Sequence, residues 1–292
     1  MSFEARHDRL SNSDPNPLPA ELAARRARLG EVLRRHHRLL VAYSGGVDSA
    51  YLLHAALEEL GTERVLAVTG VSESLARREL EEACALAARL GAPHRRIETR
   101  ELDDPRYAAN PANRCYFCKS ELFDRLRTLA VEEGYDAVAD GTNLDDTRDV
   151  RPGRQAGRER GVTSPLLEAG LTKADIRELS RCAGLPTWDK PAMPCLSSRI
   201  PFGMPVDNAK LRQIEAAEEA LRSCGIRGGR VRHHGTLARV ELPPEELHRL
   251  ADVEFRERLE GAIRQTGFAY VTVDLRGYRQ GSLHEVRVPP RS

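Results

Sequence analysis

The chain contains no apolar run near the roughly 18 residues that a membrane-spanning helix needs, which excludes an integral helical membrane protein. Its first residues, MSFEARHDRLSNSDPNPLP, hold no apolar signal core, so residues 1–17 read as a polar leader and the protein as cytoplasmic. An excess of one charge is missing too: 45 basic residues against 44 acidic ones leave a formal +1. Nothing in that balance calls for a nucleic-acid partner. Lysine is scarce, four against 41 arginines, so each of the four deserves inspection. No GxxxxGK[ST] occurs, which rules out a Walker-type phosphate loop. Cysteine is not scarce. Six in a chain without a secretion signal point to metal or redox chemistry rather than a disulfide framework.

With 292 residues, 40% hydrophobic and 30% charged, the chain is long enough for two modules. Periodicity predicts a helix over 18–36, a buried strand over 38–43, a helix over 48–60, a strand over 64–69 and a helix over 74–90. A strand at 94–98, a helix at 118–133 and a strand at 137–140 continue the alternation. Strands alternating with helices imply an α/β domain with a doubly wound parallel sheet, whose ligands bind at the carboxyl ends of the strands. Residues 143–165 read as a long loop, followed by a helix at 173–183. Five prolines between Pro186 and Pro205 set a boundary near residue 203. Beyond it, a helix at 208–223, strands at 230–234 and 237–241, a helix at 244–265 and a strand at 269–274 predict a smaller α+β domain, 204–292.

The strongest local signal is Ser44-Gly45-Gly46-Val47-Asp48-Ser49, where the first strand turns into a helix. Glycines there permit a tight turn and close ligand approach, and free N–H groups at a helix start attract an anion. SGGVDS resembles the PP-loop of the ATP pyrophosphatase superfamily, which splits ATP between the α- and β-phosphates and adenylates a substrate oxygen. The resemblance implies that Ser44, Gly45, Gly46, Asp48 and Ser49 hold pyrophosphate, with Asp48 a candidate Mg²⁺ ligand. By the same analogy Gly70, in Thr69-Gly70-Val71, lines the adenine, and Thr142 and Asn143, in Asp140-Gly141-Thr142-Asn143, close the ATP pocket.

The segments DGTNLDD (140–146), RPG (151–153) and WDKPAMPCLSSRIP (188–201), with RVRHHGTLARVE (230–241), resemble the LarE family over about residues 20–285. LarE is the ATP-dependent sulfur transferase of nickel-pincer nucleotide biosynthesis. The resemblance implies adenylation of a pyridinium-3,5-dicarboxylate mononucleotide, displacement of AMP by sulfur, and a homo-oligomer such as a hexamer. It also places a sulfur-donating cysteine at Cys195 and calls for a sulfide source or sulfur-donor protein.

Cys115 and Cys118 form a CxxC at a helix start, where the helix dipole is expected to lower thiol pKa. They depart from the family's one-cysteine form. With Cys195 they make three thiols, one short of a cube's four, so a [4Fe-4S] cluster with one open iron is the expected cofactor. A Cys₃ zinc site, a persulfide relay and a sacrificial Cys195 are the competing readings. Cys84, Cys182 and Cys224 read as buried inert thiols.

Arg230 and Arg232 alternate onto one face of a short strand and suit the substrate phosphate. Glu218 and Glu241 join them through the resemblance alone. Lys119, Lys173 and Lys190 are candidates for ATP phosphates, Lys210 reads as surface, and Trp188 as a packing anchor. Outside this reading stand a PP-loop tRNA thiolase, an ammonia-delivering synthetase and a nucleotide-binding regulatory module without turnover.

Overall fold

The computed structural model describes residues 18–147, 152–279 and 282–283. The leader and Arg151 of the RPG motif lie outside the described residues. Two layers of secondary structure follow each other along the chain. The first contains α1 (Ala20–Leu33), β1 (Leu39–Ala42), α2 (Val47–Leu60), β2 (Val65–Val71), α3 (Arg77–Arg89) and β3 (His94–Glu98). It continues with α4 (Pro105–Ala108), α5 (Arg114–Glu133), β4 (Ala137–Ala139), α6 (Pro152–Glu159), α7 (Pro165–Glu168) and α8 (Lys173–Cys182).

The strands pair in the order β3-β2-β1-β4, all parallel, with Leu39 opposite both Val65 and Ala137. Side chains alternate across the sheet, and each parity meets different helices. Leu39, Val41, Val65, Ala67 and Ala139 pack with α1, α2, α3 and α8. Leu40, Leu66, Val68 and Val138 pack instead with Phe123, Leu126 and Ala130 of α5. Burial on both faces explains why β1 and the start of β2 read as unbroken apolar runs rather than alternating ones. The chain leaves β1 for β2 on one side and returns to β4 on the other. This reversal opens a crevice at the carboxyl ends of β1 and β4, and the SGGVDS loop lies there.

The second layer contains α9 (Asn208–Ser223), β5 (Arg230–His234), β6 (Leu237–Glu241), α10 (Val253–Arg264) and β7 (Tyr270–Val273). β5 and β6 are antiparallel, joined by Gly235-Thr236 with Gly235 at φ +70°, and β7 adds parallel to β6. Val231, Val240, Ala217, Leu221, Phe255, Leu259 and Ile263 form its apolar core. A separate apolar cluster joins the layers: Tyr107 of α4 and Leu196 and Ile200 pack against Leu211 and Ile214 of α9.

Two expectations about elements change. Residues 143–165 are not one loop, because a 3-10 turn at Asp145–Thr147 and helix α6 lie within them, and α7 begins at Pro165. The polar sequence of α6 hid it; it is held by α5, with Phe123 lying against Gly157, where a Cβ would meet the ring at 3.2 Å. The helix expected over 244–265 is interrupted at Asp252, whose side chain accepts from Glu254 N at 3.0 Å and caps α10. Before that cap, Pro244–Ala251 winds as 3-10.

Candidate active site

At the nucleotide loop, Gly45 has φ +71°, and a Cβ there would stand 2.7 Å from Ala83 Cβ of α3. Only glycine fits both constraints. Ser44 N donates to Ser49 Oγ at 3.1 Å, and the two hydroxyls lie 3.0 Å apart, which folds the loop over the start of α2. No side chain caps that helix start, so its N–H groups point into the crevice as an anion site. Gly141 presses on the loop from β4: a Cβ there would lie 3.0 Å from Ser49 N.

Asp48 is the hub of this crevice. Its Oδ2 accepts from Lys173 Nζ at 2.5 Å and its Oδ1 from Asn143 Nδ2 at 3.2 Å. Asn143 is buried and oriented in turn by Asp145 N, 3.0 Å from its Oδ1. Asp145 also accepts from Lys173 N at 2.8 Å, and Asp146 from Asn143 N at 3.1 Å. Thr142 turns its hydroxyl to Asp140 at 2.8 Å. Of the lysines named in the sequence, the structure brings Lys173 to the loop. Lys190 is instead paired to Glu79 at 2.8 Å and Glu82 at 2.9 Å, and Lys210 pairs with Asp207. Gly70 leaves room for neighbouring side chains, since a Cβ there would meet Leu122 Cδ1 at 2.7 Å and Thr99 Cγ2 at 3.2 Å.

Cys115 and Cys118 occupy the first turns of α5, and Cys195 precedes the 3-10 turn Leu196–Arg199. The expected lowering of the CxxC thiols is overturned. Burial, then Glu101 and a charge on Cys195, push the Cys118 thiol up; the Cys115 thiol is pushed up too, by desolvation at the sulfur and then by Cys195, although the residue as a whole is exposed. Desolvation therefore outweighs the helix dipole here. A charge on Cys195 is felt at both thiols of the CxxC. Among the described residues, no three His, Cys, Asp or Glu side chains stand in a ligand arrangement. The donor chemistry nonetheless fits a thiophilic iron–sulfur group, since Cys115 and Cys118 at the start of α5 and Cys195 before the 3-10 turn offer three thiols from two separate segments. Other cysteines differ from expectation: Cys224 is buried, but Cys84 is half-buried and Cys182 exposed at the end of its short helix. Trp188 is no packing anchor either, being 42% exposed.

Arg230 and Arg232 are buried, not solvated, because the segment bearing Cys195 covers them. Arg232 donates to Glu241 Oε2 through Nε and Nη2, at 2.9 and 2.7 Å, and to Ser198 O at 3.1 Å. Arg230 pairs with no carboxylate among the described residues; its partners are Gly228 O, Gly229 O, Met193 Sδ and the ring of Tyr278. Burial, reinforced by Arg199 nearby, pushes its pKa down. Glu218 is held bidentately by Arg199, at 2.9 and 3.0 Å, and accepts from Val231 N. Three arginines thus face two carboxylates, and Arg239 already takes part of Glu241. The surplus of positive charge, with one guanidinium unpaired, suits an anionic group.

Sequence reasoning missed Glu101 and Arg199. Glu101 is buried, accepts from Ser72 Oγ at 2.6 Å and Ser74 Oγ at 2.7 Å, and leaves Oε2 without a partner. No sequence signal marks it. Arg199 stands inside the quoted PCLSSR motif, and an arginine in so apolar a stretch was the available clue.

A doubly wound parallel sheet with a PP-loop at its switch point, followed by a small mixed α+β layer, defines a PP-loop type of α/β protein. No family model matches the chain. It is 38% identical over 267 residues, 91% of its length, to pyridinium-3,5-bisthiocarboxylic acid mononucleotide synthase of Lactiplantibacillus plantarum, of which it covers 96%. The chain belongs to the LarE family, which includes that synthase. It is also 49% identical over 250 residues to an uncharacterised protein of Synechocystis, covering 92% of it, and 29% identical over 245 residues to one of Methanocaldococcus jannaschii. Among the described residues no helix is long and apolar enough to cross a membrane.

Proposed function

We propose that this protein is an ATP-dependent sulfur transferase that converts the carboxylates of pyridinium-3,5-dicarboxylate mononucleotide to thiocarboxylates for the nickel-pincer nucleotide. The observation that carries the proposal is the setting of Cys195. Its segment is tied to the carboxyl edge of the sheet by Leu196 N on Ser74 O, at 2.8 Å, and to the arginine cluster on its other side. The Cys195 thiol thus stands in a segment that links the carboxyl edge of the parallel sheet to the arginine cluster.

ATP enters as its Mg²⁺ salt, and the loop N–H groups with Ser44, Ser49 and Lys173 receive the β- and γ-phosphates. The substrate's phosphate rests on Arg230 and Arg232. A substrate carboxylate oxygen attacks the α-phosphorus and pyrophosphate departs. Sulfur then attacks the carboxyl carbon, the bond to the AMP oxygen breaks, and AMP leaves. Cys115, Cys118 and Cys195 would hold a [4Fe-4S] cluster, which would supply the sulfide that displaces AMP.

Pyrophosphate release from ATP tests the reading, measured with the pyridinium dicarboxylate mononucleotide, with bulk tRNA and with no acceptor. The proposal expects release with the mononucleotide alone. Release only with tRNA would make the protein a thiolase of RNA, and release with none would favour a regulatory nucleotide-binding module.

A further inference from the structure

The segment that carries Cys195 is gripped by three guanidinium groups, and two of them belong to β5 of the second layer. Arg230 Nη2 lies 3.0 Å from Met193 Sδ, before the cysteine. Arg232 Nη1 donates to Ser198 O at 3.1 Å, after it. Arg199, in between, donates to Pro194 O, to Cys195 O at 3.1 Å and to Ser198 Oγ at 3.0 Å, while Glu218 of α9 fixes its other edge. Cys195 is thus placed by contacts to its own carbonyl and to its neighbours that originate in the anion cluster.

These grips are unequal. Thioether sulfur is a weak acceptor, and among the described residues no carboxylate pairs with Arg230 to hold it there. A neutral main-chain carbonyl is a weaker partner for Arg232 than a phosphate oxygen, because the phosphate adds its own negative charge and allows two parallel bonds to the guanidinium. An arriving phosphate therefore draws both groups away from Met193 and Ser198. Arg199, pinned to Glu218, keeps hold of the Cys195 carbonyl.

We infer that occupancy of the anion cluster by the substrate's phosphate sets the position of Cys195, with Arg199 as the positioning residue that retains the segment while its outer grips open. The inference rests on the phosphate reading of Arg230 and Arg232 given above. Its consequence is selective: a pyridinium dicarboxylate without its phosphate leaves the sulfur site in its closed arrangement, so remote binding energy is used to present the sulfur.

Alkylation of the full-length chain, reduced and metal-free, by iodoacetamide tests this, with each cysteine followed by peptide mass spectrometry. Inorganic phosphate is the probe, and its binding is followed in parallel by calorimetry. Saturating phosphate is expected to raise the Cys195 rate about tenfold, the shift that loss of one charge-assisted hydrogen bond permits. Cys182, exposed at the end of α8, is expected to keep its rate. In Arg230→Met, which preserves the apolar contact with Met193, the Cys195 response is expected to vanish. Phosphate binding with no change at Cys195 would overturn the coupling and leave the phosphate reading standing, as would an equal response in Arg230→Met. Failure of the wild-type chain to bind phosphate at all would overturn both.

Discussion

Lys173 Nζ and Asp48 Oδ2 meet at 2.5 Å across the mouth of the nucleotide loop, linking the start of α8 to the start of α2. Both residues are partly exposed, so the pair contributes little to stability. Its position matters more: the ammonium is the lysine nearest the place where pyrophosphate would sit. Lys173→Ala is expected to weaken ATP binding by about 10- to 100-fold, the usual range for one lost hydrogen bond to a charged group. Calorimetry with a non-hydrolysable ATP analogue measures it. Unchanged affinity would mean that the lysine serves only Asp48.

Gly45→Ala combines an unfavourable positive φ with a collision against Ala83. A cost of about 1–3 kcal/mol is expected from overpacking of this kind, with loss of ATP binding because the loop cannot keep its shape. Thermal unfolding and the same titration report the two effects separately. Gly61→Ala, where a Cβ meets nothing within 4 Å, controls for the positive φ alone.

The Arg199–Glu218 pair is almost wholly buried. Breaking it from one side leaves an uncompensated interior charge, so Glu218→Ala is expected to cost about 3–5 kcal/mol. Replacing both partners, as in Arg199→Met with Glu218→Leu, is expected to cost much less. A double-mutant cycle by denaturant unfolding distinguishes this from simple loss of packing, for which the two changes would add.

His233 gives a dependence on pH. Its Nε2 lies 3.0 Å from Gln213 Oε1 and its Nδ1 accepts from Gly235 N at 3.3 Å, so the ring is satisfied as the neutral tautomer. Protonating Nδ1 would cost that second bond. Burial, the largest cause, with Lys210 next, accordingly pushes its pKa down. The unfolded chain then binds the proton more readily than the folded one, so this contribution is intact above about pH 6.5 and is lost as pH falls below it. Unfolding monitored between pH 7 and pH 5 is expected to show that loss, reduced in His233→Gln. Identical profiles would refute the assignment.

Much of the fold was legible because its signals are local. The apolar runs of β1 and β2, the glycine after α5 and the loop at Ser44–Ser49 each state their own conformation. What was hidden depends on contacts distant in sequence. The polar helix α6 exists because α5 supports it, and the Cys118 thiol is shifted up by burial and by Glu101, which no spacing reveals. Lys173 could not be preferred over Lys190 until the fold brought one to Asp48 and the other to Glu79 and Glu82. Arg230 and Arg232 had the right alternation, but their burial comes from the segment 193–199 folding across them.

The central claim is sulfur transfer from the three-cysteine site to a carboxylate activated by ATP. Mass spectrometry of protein and nucleotide together tests it, after anaerobic incubation of the iron- and sulfide-reconstituted chain with ATP, Mg²⁺, sulfide and the pyridinium dicarboxylate mononucleotide. The account predicts oxygen replaced by sulfur in the nucleotide over several turnovers with the protein mass unchanged, and no turnover in Cys115→Ser or Cys118→Ser. A nucleotide that gains sulfur while the protein loses one, or full turnover in both serine variants, would contradict the cluster. No thiolated nucleotide under any condition would contradict the account as a whole.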